Sequence, residues 1–87
     1  MLEREIEKRL VAKVRSMGGE AIKFTSPASR GWPDRLVIFP GGRIAFVELK
    51  TDKGVLTEIQ KSRIAKLERM GCEVHVLYGQ SGVEAFA

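Results

Sequence analysis

The sequence has only one cysteine, Cys72, and one histidine, His75. A single cysteine excludes an internal disulfide, and one residue of each type is too few for the Cys/His sites that hold structural zinc. We interpret Cys72 as a small residue near the start of a strand. His75 alternates with apolar neighbours and is interpreted as an ordinary strand residue. Any metal chemistry therefore falls to other side chains.

Long apolar runs are also absent. No stretch approaches the ~20 apolar residues that a membrane-spanning helix needs. The opening sequence, MLEREIEKRL, is too charged for a secretory signal. No repeat or linker interrupts the chain, so residues 1–87 are predicted to form one domain. We expect a cytoplasmic or nucleoid-associated protein that is not secreted and has no contact with a membrane.

The charge balance is modestly basic. Fifteen lysines and arginines against eleven acidic residues give a net charge of +4. This excess is compatible with a polyanionic partner, and equally with an ordinary solvated surface. A chain of 87 residues buries only about 60% of the surface of its unfolded form, so its core is thin and a second subunit would help to stabilise it.

The spacing of apolar residues predicts a helix, three strands, a second helix and a fourth strand. Apolar residues recur three and four positions apart between Leu2 and Met17, which is typical of an amphipathic helix, and a similar pattern runs from about Thr57 to Met70. The strands are predicted at Glu20–Thr25, Asp34–Phe39, Arg43–Lys50 and Glu73–Tyr78. The last segment, GQSGVEAFA, is too short to assign.

The two central strands, Asp34–Phe39 and Arg43–Lys50, are apolar on both faces, so each face of their sheet needs a covering helix. A strand–helix–strand unit closes the chain and is expected to be a right-handed parallel crossover. The predicted fold class is therefore α/β: one domain whose mixed sheet has helices on both faces.

Charged side chains occupy positions where this pattern calls for apolar ones. Side chains of a strand alternate between its two faces, so Glu48 and Lys50 share the face of Ile44 and Phe46 in the third strand. Burying a charge is costly unless the charge is paired or bound to a metal. The two residues are therefore either an ion pair at a strand end or part of a functional site.

Two further acids occupy unexpected positions. Asp34 opens the second strand directly after a proline, where it is either a turn residue or a site residue. Glu3 projects into the apolar stripe of the first helix, between Leu10 and Val14, although an acid in a first turn also suits the helix dipole. Carboxylates that converge at one end of a sheet beside a lysine would bind a hard divalent cation through oxygen. Such a cation polarises a phosphodiester and activates a water molecule.

Whether Asp34 meets Glu48 depends on the hairpin between the two central strands. A two-residue turn would pair Asp34 with Leu49, on the wrong face, because a shift of one residue reverses every side chain. A three-residue loop, Pro40-Gly41-Gly42, pairs Asp34 with Glu48. Proline first and glycine last fit a type I turn followed by a left-handed glycine. The sequence thus permits the site.

These residues resemble a known signature. Gly31-Trp32-Pro33-Asp34, followed by Val47-Glu48-Leu49-Lys50, resembles the PD-(D/E)XK nuclease motif, and the layout resembles its VRR-NUC branch, especially the small stand-alone members of phages and bacteria. The resemblance implies a restriction-endonuclease-like core. It extends to supporting segments along nearly the whole chain, namely Glu3–Ile6, Lys23-Phe24, Arg30-Gly31, Leu56–Gln60 and Leu67–Gly71.

The resemblance implies roles for individual residues. Asp34, Glu48 and the backbone carbonyl of Leu49 would bind magnesium or manganese, and Glu3 would help to complete the metal site. Lys50 would orient the attacking water and stabilise charge on the phosphate. Gln60 is either a catalytic residue or only the partner of Thr57 in a helix capping box.

Contacts with DNA are predicted for Lys23, Arg30, Trp32 and Arg35. Trp32 departs from the family pattern, in which a smaller residue is common at this position. It is interpreted as either a stacking surface for a base, worth ~1–3 kcal/mol, or an anchor for its loop.

The resemblance implies a divalent-metal-dependent endonuclease that hydrolyses DNA and selects branched forms such as four-way junctions or flaps, as similar minimal VRR-NUC proteins do. The small surface of the chain also favours recognition of shape over base sequence. The chief alternative is a non-catalytic nucleic-acid-binding module on a nuclease fold, whose sign would be a missing acid or lysine. A protein–protein adaptor explains the basic charge and the buried acids poorly. No small-molecule cofactor is expected.

The chain is also expected to form a homodimer. A four-way junction presents paired cleavage points, which a two-fold dimer can address symmetrically. Val83 and Phe86 have no evident place in the core of the monomer and are predicted to lie in the interface, with Phe86 as a cap on the sheet edge as the alternative.

Overall fold

Four strands form one mixed sheet in the order β1-β2-β3-β4, as seen in a computed structural model that describes residues 2–86. Strands β1 with β2 and β2 with β3 pair antiparallel, whereas β3 and β4 pair parallel. The elements are α1 (Glu3–Ser16), β1 (Glu20–Lys23), β2 (Arg35–Ile38), β3 (Ile44–Lys50), α2 (Glu58–Arg69), β4 (Glu73–Tyr78) and α3 (Gly79–Ala85). The predicted α/β class, element order and mixed sheet are confirmed. None of the helices within residues 2–86 is long and apolar enough to cross a membrane.

The main core lies between one face of the sheet and the helices α1 and α3. Residues Ile6, Leu10 and Val14 project from α1 at helical spacing and are fully buried. They pack against alternate residues of the strands and against the end of the chain, namely Val37, Phe39, Val47, Leu49, Leu77, Val83 and Phe86.

Helix α3 corrects the interface prediction for Val83 and Phe86. These side chains are only 2% and 3% exposed, and both belong to the core of their own chain. The Lys13 ammonium group binds the backbone carbonyls of Val83 and Glu84, which fixes the last turn of α3 against α1. Neither apolar side chain is free to contact a second subunit.

The opposite face of the sheet is covered only in part. Helix α2 packs on β4 and buries Leu67 there. The uncovered part carries three exposed isoleucines on neighbouring strands, which we call the isoleucine patch: Ile22 (43% exposed), Ile38 (37%) and Ile44 (52%). Ile38 and Ile44 are direct cross-strand partners.

The hairpin between β2 and β3 has the three-residue loop that the site requires. Phe39 N–H donates to the Arg43 carbonyl at 2.8 Å, which encloses residues 40–42. The turn itself differs from the predicted type I, because Gly41 has φ 89°, the value of the third residue in a type II turn. Arg35 pairs with Val47, so the next step of the register sets Asp34 opposite Glu48.

Candidate active site

Glu48 is the centre of a polar cluster on the α2 side of the sheet. Within residues 2–86 it is the charged residue that falls in the buried class, with 4% of its surface exposed. Its Oε2 atom accepts a hydrogen bond from Gln60 Nε2 at 3.1 Å and lies 3.6 Å from Lys50 Nζ. A helix and a strand therefore fix this carboxylate from two sides.

Asp34 stands beside Glu48 at the entry to β2. Its Oδ1 atom is buried and has no hydrogen-bond partner. Burial raises the pKa of Asp34 to about 6, although a hydrogen bond from the Leu49 backbone amide opposes the shift. The charges of Glu3 and Glu7 raise this pKa further.

The pKa of Glu48 is raised to about 7, first by burial and then by the negative charge of Asp34, while Lys50 acts in the opposite sense. Two carboxylates with raised pKa values, held side by side at one sheet end, form an arrangement that a cation would stabilise. The orphaned Asp34 oxygen points to the same conclusion.

Gln60 combines a helix cap with a contact to Glu48. The Oε1 atom of Gln60 accepts a hydrogen bond from the Thr57 backbone N–H at 3.0 Å. The Gln60 backbone N–H donates to Thr57 Oγ1 at 3.1 Å, which completes a capping box. The remaining amide hydrogens are thereby directed to Glu48. The cap thus orients the side chain for its contact with the buried acid.

Oxygen donors at this site fit a hard divalent cation. Within the described residues 2–86, no three histidine, cysteine, aspartate or glutamate side chains are grouped so as to hold a metal. Glu3 is exposed in the first turn of α1, and its charge acts on Asp34, so its part in the metal site stays a prediction. Asp34, Glu48 and the Leu49 carbonyl remain as candidate ligands, a number that suits magnesium, which keeps several waters.

The four predicted DNA contacts fall in two regions. Arg30 and Trp32 lie in the loop between β1 and β2, and both line a cleft that reaches Asp34. Arg35 lies on the other face of the sheet, 3.8 Å from Glu7 of α1 and bonded to the Ala21 carbonyl. Lys23 is its cross-strand partner. The DNA contacts predicted for Arg35 and Lys23 therefore have no support from their positions.

Trp32 anchors its loop. Its Nε1 atom donates to Ser29 Oγ at 2.9 Å, and its ring packs near the rings of Phe24 and Phe46, at centroid distances of 5.4 and 5.9 Å. The loop itself lies against α2, because Gly31 has φ +85° and a Cβ atom there would lie 2.5 Å from Ile59 Cγ2. Only glycine permits this close approach.

Arg63 of α2 is a residue that the sequence prediction missed. Its guanidinium carbon lies 4.7 Å from the centre of the Trp32 ring. The signal available in the sequence was its position three residues after Gln60, which places both on one face of a helix.

Comparisons with known proteins agree with this geometry. The sequence model of the VRR-NUC domain matches residues 3–81. A relative named "Putative nuclease p44", from Acyrthosiphon pisum secondary endosymbiont phage 1, is 49% identical over 78 residues, which are 90% of this chain and 84% of the relative.

A solved structure described as a VRR-NUC domain has a TM-score of 0.89 to this fold at 28% identity, and the match covers 94% of this chain and 89% of the other. The sequence match and the fold agree, and the chain belongs to the VRR-NUC family.

Proposed function

We propose that the chain is a nuclease that hydrolyses DNA phosphodiester bonds with the help of a divalent cation, magnesium or manganese. Membership of the VRR-NUC family supports the nuclease activity. The observation that carries the metal-dependent form is the pair of acids formed by the half-buried Asp34 and the buried Glu48, whose pKa values are raised to about 6 and about 7 beside Lys50. Cytoplasmic or nucleoid action on DNA is part of this proposal.

The protein's own groups have distinct tasks in this proposal. A bound divalent cation would polarise the phosphodiester and lower the pKa of a water molecule. Asp34, Glu48 and the Leu49 carbonyl would hold it, with the Leu49 amide and Gln60 orienting the two carboxylates. The Lys50 ammonium group lies 3.6 Å from Glu48 Oε2, and in this proposal it would hold the attacking water and stabilise charge on the phosphate.

Branched DNA is the substrate that we favour. A protein of 87 residues offers too little surface to read many base edges, so shape is the property it can select. A homodimer suits a four-way junction, because a two-fold axis would present two sites to two strands. We place its interface on the isoleucine patch, since Val83 and Phe86 are buried within the monomer.

Cleavage of end-labelled DNA tests the proposal. A four-way junction, a flap and a linear duplex of the same sequence are incubated with Mg²⁺, with Mn²⁺ or with EDTA, and Asp34→Asn is the matched inactive control. Wild-type protein should cut the junction or flap faster than the duplex, with no cleavage in EDTA. Binding without cleavage under every condition would instead favour the non-catalytic DNA-binding module, and equal rates on all three substrates would reject selectivity for branches.

A further inference from the structure

Arg63 is a preordered cation without an acidic partner. Its guanidinium group lies over the Trp32 ring at 4.7 Å from the centroid. Trp32 is in turn fixed by Ser29 and by two phenylalanine rings. Within residues 2–86 no carboxylate forms an ion pair with Arg63, and its Nε atom is buried without a hydrogen-bond partner. A guanidinium held in this way is ready for an anionic ligand.

The surroundings of Arg63 form a basic cleft. Arg30 and Lys66 line it together with Arg63, and Ser62 adds a hydroxyl group. The one acid at its rim, Glu58, has a 90% exposed side chain and lies 3.6 Å from the ammonium group of Lys61. Three cations therefore face the cleft, with no acid directed against them. A phosphate oxygen is the ligand that suits a guanidinium fork flanked by further cations.

The basic cleft is joined to the candidate active site. Arg30 lines both this cleft and the one that reaches Asp34, and Trp32 stands at the boundary between them. On α2, Arg63 follows Gln60 by three residues, just under one turn, which is about 5 Å along the axis. Gln60 contacts Glu48. A single nucleic-acid strand can thus run from the paired acids along the β1–β2 loop to Arg63.

We propose that Arg63, with Arg30 and Lys66, binds a backbone phosphate of the substrate strand next to the phosphate that is cut. Trp32 is the positioning residue: its ring face holds the guanidinium group, so it serves the DNA through Arg63 and not by stacking on a base. This inference rests on the proposed nuclease function, because the ligand is a phosphodiester of the same strand.

Binding of DNA in EDTA tests the phosphate site without cleavage. Fluorescence anisotropy with a labelled four-way junction is measured from 50 to 300 mM salt for wild type, Arg63→Gln and Arg69→Gln. Arg63→Gln should bind about tenfold more weakly and should make the negative slope of log K against log salt shallower by ~0.9, the value for one lost phosphate contact. Arg69→Gln is the matched control: it removes the same charge from the exposed end of α2, outside the cleft, and should leave the slope unchanged.

A double-mutant cycle tests the role of Trp32. If Trp32 acts through Arg63, Trp32→Leu should weaken binding in the wild-type background and add nothing in the Arg63→Gln background. Full additivity of the two losses would show independent base stacking and reject the positioning role. Because Trp32 is the sole tryptophan, its emission should change on DNA binding to wild type and change less in Arg63→Gln. Thermal melts confirm that each variant is folded.

The result separates this inference from the nuclease proposal. An unchanged salt slope in Arg63→Gln, with normal cleavage by wild type, would overturn the phosphate site alone. A reduced slope, with no cleavage by wild type under any metal, would leave the phosphate site in place and reject the nuclease. Arg63→Lys offers a further check, since it should restore most of the slope but not the full affinity.

Discussion

Glu48 combines deep burial with a charge, and this combination has a consequence for stability. Its pKa is raised to about 7 in the folded chain, above the ordinary value of 4.5. The folded state therefore holds more protons than the unfolded state between these values, and stability falls as the pH rises through that window. Glu73 changes the pH dependence of stability only below pH 4.5, because hydrogen bonds from Arg43 and His75 lower its pKa to about 2.

Glu48→Gln should consequently stabilise the metal-free protein at pH 8. The amide has nearly the shape of the acid, can still accept from Gln60, and removes the buried charge. The expected gain in the free energy of unfolding is on the order of 1–3 kcal/mol at pH 8 and close to zero at pH 4.5. Urea unfolding in EDTA across this range measures it. A wild-type stability that rises steadily from pH 4.5 to 8 would contradict the assigned shift.

Asp34 offers a test of the proposed metal site that does not depend on DNA. A cation that binds only the folded state stabilises it by RT ln(1 + [L]/Kd), about 2.7 kcal/mol at one hundred times Kd. Mn²⁺ or Mg²⁺ should therefore raise the melting temperature of wild type at pH 8 and leave that of Asp34→Asn unchanged. Lys50→Ala, which keeps both carboxylates, should retain the metal response but lose cleavage by about 10²-fold or more. Equal responses in wild type and Asp34→Asn would remove Asp34 from the ligand set.

At the scale of residues, the sequence permitted Asp34 to be placed opposite Glu48, because strand alternation and the length of the hairpin loop together determine which residues face each other. The same alternation was not applied to Arg35, and helical periodicity is a weaker guide at the end of a helix, where Glu3 lies. Helical periodicity put Glu3 in the apolar stripe, but a first-turn residue lies at the open end of the helix and stays exposed. Arg35 follows Asp34 by one residue, so alternation turns it to the opposite face, where it meets Glu7.

Among the elements, α2 makes two kinds of contact at its first turn, a helix cap and a hydrogen bond to Glu48, and their effects are separable. Thr57 contributes only to the cap, whereas Gln60 contributes to the cap and contacts Glu48. Thr57→Ala should cost about 1 kcal/mol of stability and leave most of the cleavage activity. Gln60→Ala should show a similar loss of stability and, in addition, a loss of cleavage of tenfold or more.

The comparison between these two variants uses thermal melts and single-turnover cleavage of the same junction. Thr57→Ala serves as the control for the cap. If both variants cleave at the wild-type rate, Gln60 is a capping residue only, and its hydrogen bond to Glu48 has no part in the reaction.

Helix α3 shows where prediction from the sequence ends at this scale. Its segment holds two glycines and few apolar residues, so no helical period was visible. Its stability comes from tertiary contacts: Val83 and Phe86 enter the core, and Lys13 binds the carbonyls at the last turn. Such contacts span about 70 positions in the sequence, and no local pattern encodes them.

For the whole molecule, the fold was predictable because its central strands are apolar on both faces, which required two helical layers. The extent of each layer was not predictable. Helices α1 and α3 cover their face, while α2 covers mainly β4 and leaves the isoleucine patch exposed. Hydrophobic alternation marks which residues face inward, but it does not tell how far a single helix reaches across a sheet.

The isoleucine patch gives the proposed homodimer a specific test. Ile38 and Ile44 are cross-strand partners at the hairpin end of β2 and β3, whereas Glu48 and Lys50 lie at the other end of the same face. A two-fold contact through the patch would therefore bury exposed apolar surface while leaving both active sites open to DNA.

We expect light scattering at micromolar concentration to give a dimeric mass for wild type and a monomeric mass for the double variant Ile38→Thr/Ile44→Thr. Val55→Thr is the matched control, since Val55 is 75% exposed and lies outside the sheet. A wild-type monomer that persists with junction DNA bound would reject paired cleavage by a dimer, and a double variant that remains dimeric would move the interface elsewhere on the surface.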